Sequence, residues 1–325
     1  MSRPRDDGIV IGALEPGPRN SIADAGVTVG HVTVERTGVT AVVPPSLPLP
    51  AGTAVLNGAG ELTGSLEIRE WGILETPVYL TATHAVGRVY DGAVSVAMAA
   101  DPRVGVDDVV IPVVGECDDS WLSDARVAHV QPADVARAVG GAAADFEQGA
   151  VGAGAGMSCF GWKGGIGSSS RRAGEHTVGV LLLTNFGVSE QLRVDGVPVG
   201  RLLEEKPREA RDPGGSCIAV VATDAPLTAP QLERLARRAG LGLARAGSVA
   251  HHSSGEIFIA LSTSGDRSFA DRALDPLFQA AVDATEEAVL CSLWAAVDTM
   301  GREGRVVRAL PREQVLELYR GGGRQ

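Results

Sequence analysis

The chain has 325 residues, 44% hydrophobic and 21% charged, the composition of a globular protein able to bury a sizeable core. A formal net charge of -11 argues against nucleic acid or an anionic membrane as a partner and suits a cationic group such as an amine. With aromatics at only 4% and 42 glycines, the core must be built from Val, Leu, Ile and Ala between many tight turns. The opening stretch MSRPRDDGIVIGALEPGPRNS holds no apolar run long enough for a signal peptide or a membrane span. Four cysteines, Cys117, Cys159, Cys217 and Cys291, lie far apart and form no C-x-x-C pair. Free, mostly buried thiols in a reducing cytoplasm are expected.

Along the chain, short runs rich in Val, Ile and Leu recur between turn signals. TAVLNG, TPVYLTATH, GAVSVAM and DVVIPVVGE come first, followed by TVGVLLLTNFG, CIAVVATDAP and EIFIALSTS. Most are continuously apolar, as strands covered on both faces are. Helical patterns lie among them. Pro132 opens PADVARAVGGAAADFEQG, with Val135, Ala136, Val139 and Phe146 at helical spacing. TAPQLERLARRAGLGLAR offers Thr228 as a cap and Pro230 in the first turn, and repeats Leu232, Leu235, Ala236 and Ala239. A long pattern runs from Ala273 to Met300, and PREQVLELY closes the chain's last element. Strands followed by helices in both halves predict a layered α/β sandwich. RLLEEKPREARDPGG, Arg201 to Gly215, reads as an exposed charged loop.

Two familiar motifs fail on inspection. In GAVGAGAGMSCFGWKGGIGSSSR a phosphate loop starting at Gly156 reaches Gly161, but Trp162 stands where the lysine belongs, and Lys163 is followed by glycine. The dinucleotide pattern starting at Gly152 and Gly154 would put its third glycine on Met157. A packed loop with close backbone approach is the better reading. The six histidines include no H-E-x-x-H and no pair at ligand spacing on one helix face, so no metal site is expected.

The stretch DPGGSCIAVVATDAPL places a glycine pair and a serine directly before a strand. It is either a loop entering the strand or a cut site. Breaking the Gly215–Ser216 bond would give Ser216 a free α-amine beside its hydroxyl, and an amine with a pKa of roughly 8 can act as a base near neutral pH. Further on, SSGEIFIALSTS sets Ser254 and Glu256 two residues apart, on one face of an extended strand. That spacing fits a hydrogen-bond relay or an ordinary Ser-Gly-Glu turn. Asn185 ends TVGVLLLTNFG, where its amide is either an oxyanion donor or a turn residue.

Taken together, these segments resemble the L-aminopeptidase/D-esterase and β-aminopeptidase family of self-processing, N-terminal-nucleophile serine hydrolases. The resemblance spans nearly the whole chain. It runs from NSIADAGVTVGHVTV and VLNGAGELTGSLEIREWGILETPVYLTATHAVGRVYDG through VVGECDDSWLSD, GAGAGMSCFGWKGGIGSSSR and LLLTNFG to GGSCIAVVATDAPL and HHSSGEIFIALSTS. It implies a four-layer α-β-β-α sandwich with its own connectivity. One catalytic domain, residues 1–325, would be cut after Gly215 into chains 1–215 and 216–325. Ser216 matches the nucleophile, Ser254 and Glu256 complete its triad, and Asn185 matches the oxyanion donor. Glu116 matches an acidic residue that helps bind the substrate's ammonium group. Asp118 stands where other members have a tyrosine, and Ser123 replaces a usual asparagine, which opens the choice among L-α-, D- and β-amino-acid substrates. The implied partner is a peptide or aminoacyl small molecule, with no cofactor, and the implied assembly is a homo-oligomer of processed heterodimers, most often four. Rivals within the fold are an acyltransferase of the ornithine acetyltransferase type, which normally uses threonine, and an amidase. A non-enzymatic rival is an uncleaved scaffold that binds a cationic ligand.

Overall fold

The computed structural model describes residues 3–207 and 215–322. Residues 208–214 of the expected charged loop before the cut therefore lie outside the described residues.

The first half contains β1 (Thr28–Val34), β2 (Thr37–Val43), β3 (Leu49–Gly58), α1 (Ser65–Trp71), β4 (Ile73–Leu74), β5 (Val78–Ala82), α2 (Val86–Ala100), β6 (Val113–Cys117) and α3 (Pro132–Gly140). The short pair β7 (Ser158–Cys159) and β8 (Trp162–Lys163) follows, then β9 (Ile166–Ala173), β10 (His176–Asn185) and α4 (Val199–Leu202). The rest comprises β11 (Ser216–Thr223), α5 (Ala229–Ala246), β12 (Gly255–Ser262), α6 (Asp275–Trp294), the ribbon of β13 (Thr299–Met300) and β14 (Val306–Val307), and α7 (Arg312–Gly322).

Two sheets form the centre. One has the order β1-β2-β5-β6, and the other β4-β3-β12-β11-β10-β9. In the larger sheet β11 and β12 run parallel, and β10 and β3 flank them antiparallel. Side-chain alternation then decides the layers. Along β10, Val178, Val180 and Leu182 point at α5 and α6, while Leu181 and Leu183 point at the other sheet. Along β2 and β5, Val39, Ala41 and Tyr79 meet α2 and α3, while Val42, Val78 and Leu80 turn inward. Three apolar interfaces, helix on sheet, sheet on sheet and sheet on helix, make the α-β-β-α sandwich. Both sheets are covered on both faces, which is why most of their longer strands read as apolar runs.

Some expectations need correction. GAVSVAM is not a strand. It lies inside α2, where Val86, Val89, Ala93 and Val96 recur at helical spacing and pack on the smaller sheet. Phe146 is not on the helix that Pro132 opens, because α3 stops at Gly140 and Phe146 packs against the inter-sheet core instead. The long helical pattern ends at Trp294, and Thr299–Met300 is a strand. Three strands, β1, β2 and β9, carry no continuous apolar run of the kind sought. In β9 the sequence IGSSSRRA is buried because its serines find partners: Ser168 Oγ donates to the Val180 carbonyl at 2.7 Å and Ser169 Oγ to that of Ala284 at 2.6 Å.

Between them, Gly167 lets α6 lie directly on β9. A Cβ there would come within 1.9 Å of the Ala288 carbonyl oxygen, with no flexible side chain to yield. Gly167→Ala should therefore destabilise the fold by about 1–3 kcal/mol. Gly87→Ala, at an exposed helical glycine with nothing near its would-be Cβ, should stabilise by up to about 1 kcal/mol. Urea unfolding midpoints of the two variants check both signs.

Candidate active site

Three strand ends converge at the centre of the larger sheet. Ser216 opens β11; its antiparallel partner is Asn185, the last residue of β10, and its parallel partner is Gly255, the first of β12. Ser254 and Glu256 flank Gly255, so the structure brings Ser216, Ser254, Glu256 and Asn185 together. All four are buried.

Ser216 Oγ donates to the Gly215 carbonyl at 2.7 Å, and the Gly255 N–H reaches the same oxygen at 3.1 Å. Glycine is required at 215 by close approach: a Cβ there would sit 1.9 Å from the Asn185 carbonyl oxygen. Ser254 Oγ donates to Glu256 Oε1, while Glu256 Oε2 is buried with no hydrogen-bond partner among the described residues. Burial pushes the Glu256 carboxyl up, and the Ser254 hydroxyl acts in the opposite direction. The Ser-Gly-Glu segment is thus a hydrogen-bonded pair on a strand face.

The Asn185 amide is fixed at both ends. Its Oδ1 accepts the Ser158 N–H at 3.1 Å, and its Nδ2 donates to the Asp118 carbonyl at 2.8 Å. Those partners assign the amide's orientation, since a flip would set donor against donor. One further N–H on Nδ2 is the group that an oxyanion could use.

Glu116 ends up beside this cluster because β6 packs across β11. Its Oε1 accepts the Glu61 N–H at 2.9 Å and its Oε2 accepts the Thr83 hydroxyl. Gly60 lies between Glu116 and Gly255: a Cβ on it would be 3.1 Å from Glu116 Oε1 and 3.6 Å from Gly255 Cα. Burial raises the Glu116 carboxyl, and the charges of Asp118 and Glu61 raise it further against the two hydrogen bonds. Asp118 is adjacent but differently used. Its carboxylate accepts the Ser120 N–H at 2.9 Å and hydroxyl at 3.0 Å, closing a turn, and its carbonyl holds Asn185.

Among the described residues, neither Glu116 nor Glu256 has an ion-pair partner. Two buried carboxylates without a cation leave the site ready for ammonium groups. The thiol next to Ser216 is no rival nucleophile, since burial pushes the Cys217 thiol well up. All four cysteines are free and buried, as expected.

Sequence reasoning missed one residue here. Asn57, at the end of β3, donates through Nδ2 to the carbonyls of His251 at 2.9 Å, His252 at 3.2 Å and Ser254. One amide thereby fastens the turn that presents Ser254. Its only trace in the sequence is an Asn-Gly pair closing an apolar run. The glycine-rich stretch is a packed loop, as expected: Cβ atoms on Gly154 or Gly165 would come within 2.7 Å and 2.1 Å of the Gly149 carbonyl oxygen.

Back-to-back sheets between helical layers, with a serine heading a central strand, give the fold of the N-terminal-nucleophile-like hydrolases. The chain belongs to peptidase family S58, whose model matches residues 20–307, and it is an aminopeptidase. It is 38% identical, over 98% of its length and 92% of the relative's, to the beta-peptidyl aminopeptidase BapA of Sphingosinicella microcystinivorans. The solved beta-aminopeptidase of a Burkholderia species superposes with a TM-score of 0.92 at 40% identity, covering 100% of both chains. The L-aminopeptidase D-Ala-esterase/amidase of Ochrobactrum anthropi, described as a variant of the Ntn hydrolase fold, gives 0.92 at 34% identity, covering 100% of this chain and 99% of that one.

The raised carboxyl of Glu116 has a consequence for stability. The folded state holds that proton more tightly than the unfolded chain, so the contribution is full below the ordinary carboxylate pKa and is lost as pH rises through the raised value. Glu116→Gln should therefore melt at a higher temperature than its parent at pH 8, and the gap should close toward about pH 4. Thermal melts across that range check it, with Ser216→Ala in both proteins to keep them in one chemical state.

Proposed function

We propose that the chain cuts itself between Gly215 and Ser216 and then removes an amino-terminal residue through an acyl-enzyme on Ser216. The observation that carries this reading is a pair of buried carboxylates, Glu256 next to Gly255 and Glu116 across Gly60 from it, each without a cationic partner among the described residues. A new α-ammonium on Ser216 suits the unpartnered Glu256 Oε2, and the substrate's own ammonium suits Glu116.

For the cut, Ser216 Oγ attacks the Gly215 carbonyl carbon, whose oxygen accepts the Gly255 N–H. The C–N bond breaks as the proton passes to nitrogen, leaving an ester that water resolves. Chains 1–215 and 216–325 result. In turnover the Ser216 amine, directly or through Ser254, takes the hydroxyl proton as Oγ attacks the substrate carbonyl. Glu256 orients Ser254 and balances charge on the amine. Asn185 Nδ2 donates to the oxyanion, the leaving group departs with the proton, and water frees the acid. These steps call for no cofactor.

The substrate we infer is a peptide, amide or ester with a free amine, preferentially a β-amino acid at the amino end. Glu116 stands where an amine is caught, and the Asp118 carboxylate is taken up by Ser120. Assembly as a homo-oligomer of heterodimers, four by resemblance, and a cytoplasmic site suited to four free thiols complete the reading. Sedimentation of the purified protein tests the first.

Freshly purified protein should give two chains, the smaller beginning Ser-Cys-Ile-Ala by N-terminal sequencing. Ser216→Ala should stay one inactive chain, and Asn185→Ala should lose on the order of 10²–10³ in turnover. Glu256→Gln and Ser254→Ala should each slow cutting and turnover, with the double variant little worse than either. Wild-type rates in both singles would leave Ser-Gly-Glu as only a turn. Acetylating the substrate amine should abolish hydrolysis in an assay pairing free and acetylated β-aminoacyl amides; equal rates would give Glu116 a structural role.

A further inference from the structure

We propose that Lys163 is a positioning residue for the oxyanion donor, its ammonium fixing the loop that holds the Asn185 amide. This rests on the reading of Asn185 given above. Lys163 belongs to the stretch that failed as a phosphate loop. Its side chain is fully buried on β8, and Nζ donates to the carbonyls of Gly154 at 3.0 Å, Met157 at 2.7 Å and Gly164 at 2.8 Å. An ammonium has three N–H donors, and all three are used. The loop from Gly154 to Gly164 is therefore gathered around one charge.

That same loop touches Asn185 and both of its neighbours. Ser158, next to Met157, gives its N–H to Asn185 Oδ1 at 3.1 Å. The Phe160 N–H donates to the Phe186 carbonyl at 2.7 Å, and the Gly165 carbonyl accepts the Thr184 N–H at 2.9 Å. Residues 184, 185 and 186 thus all hang on a segment that Lys163 draws together. Take the ammonium away, and three buried carbonyls lose their donor. The loop must then move to find water, and Ser158 moves with it. The Asn185 amide would lose the partner that fixes its orientation while the nucleophile, the Ser254–Glu256 pair and Glu116 stay in place.

Asp119 supports the charge from the other side. Burial pulls the Lys163 ammonium down to about 7, and the Asp119 carboxylate acts against that pull. Asp119 is itself buried, and among the described residues its Oδ2 has no hydrogen-bond partner.

The experiment is a double-mutant cycle on cutting rate and on kcat and KM of the cleaved enzyme, using Lys163→Met, Lys163→Gln, Asn185→Ala and Lys163→Gln with Asn185→Ala. Thermal unfolding is measured in parallel. Lys163→Met should lower kcat about 10- to 100-fold, the cost of a misplaced catalytic group, with KM nearly unchanged. Lys163→Gln keeps two donors and should recover part of that loss. On the Asn185→Ala background, Lys163→Gln should cost no further kcat, although it should lower the melting temperature by the same amount on either background. Multiplying kcat losses would overturn the proposal and leave Asn185 as the donor. So would a Lys163 variant that folds but stays uncut where Asn185→Ala matures, or failure of both Lys163 variants to fold, since either makes the lysine a general scaffold. Wild-type kcat in Asn185→Ala alone would instead overturn the oxyanion assignment on which this rests.

Discussion

The pairing of Ser216 with Asn185 on one side and Gly255 on the other is the constraint from which the rest of the site follows. A strand in the middle of a six-stranded sheet, covered on both faces, has no freedom to shift along its neighbours. Register alone therefore brings a hydroxyl, an amide and a Ser-Gly-Glu segment to one point. Gly215 is part of the same constraint, because the chain enters β11 against the Asn185 carbonyl and leaves no room for a side chain. Rigid strand ends give a catalytic group a more exact placement than a loop can.

Charge is distributed through the interior in two different ways. Away from the site, several buried charges are compensated. Arg171 and Glu287 pair inside the fold with Asn20 and a backbone carbonyl as further partners, and Lys163 satisfies three carbonyls. At the site, Glu116 and Glu256 are left with neutral donors only, and burial raises both carboxyls. Such an arrangement costs stability unless a cation arrives, and an aminopeptidase has cations to offer at its substrate's amine and at a terminal α-amine. The strongly acidic composition is a faint image of this, but composition does not say which carboxylates are uncompensated.

The legible part of the fold was the part whose burial is apolar. β3, β5, β6, β10, β11 and β12 each lie in a run of Val, Ile and Leu, and α5 announced itself by a proline in its first turn and leucines on one face. β9 stayed hidden because its buried serines are satisfied by carbonyls of β10 and α6, partners that exist only after folding. GAVSVAM misled because a short apolar run has no period of its own; the spacing from Val86 to Val96 had to be read over a longer window. Asn57 escaped notice because the carbonyls it binds before Ser254 come beside it only when β3 pairs with β12.

By itself the sequence determined the layered α/β class, the family resemblance and the small set of polar residues able to carry acyl transfer. Those properties depend on residue type and short-range spacing: apolar runs, glycines at tight passages, and a serine and a carboxylate two positions apart on one strand face. Tertiary structure alone decided that Glu116 lies across Gly60 from Gly255, that the Asp118 carboxylate turns to Ser120 while its carbonyl holds Asn185, and that Lys163 anchors the loop behind the amide. Those facts depend on which strand lies beside which and on what burial leaves unpaired. Asn185, Ser216 and Gly255 are far apart along the chain and meet only through pairing within one sheet, while Glu116 reaches Gly60 and Gly255 from the other sheet.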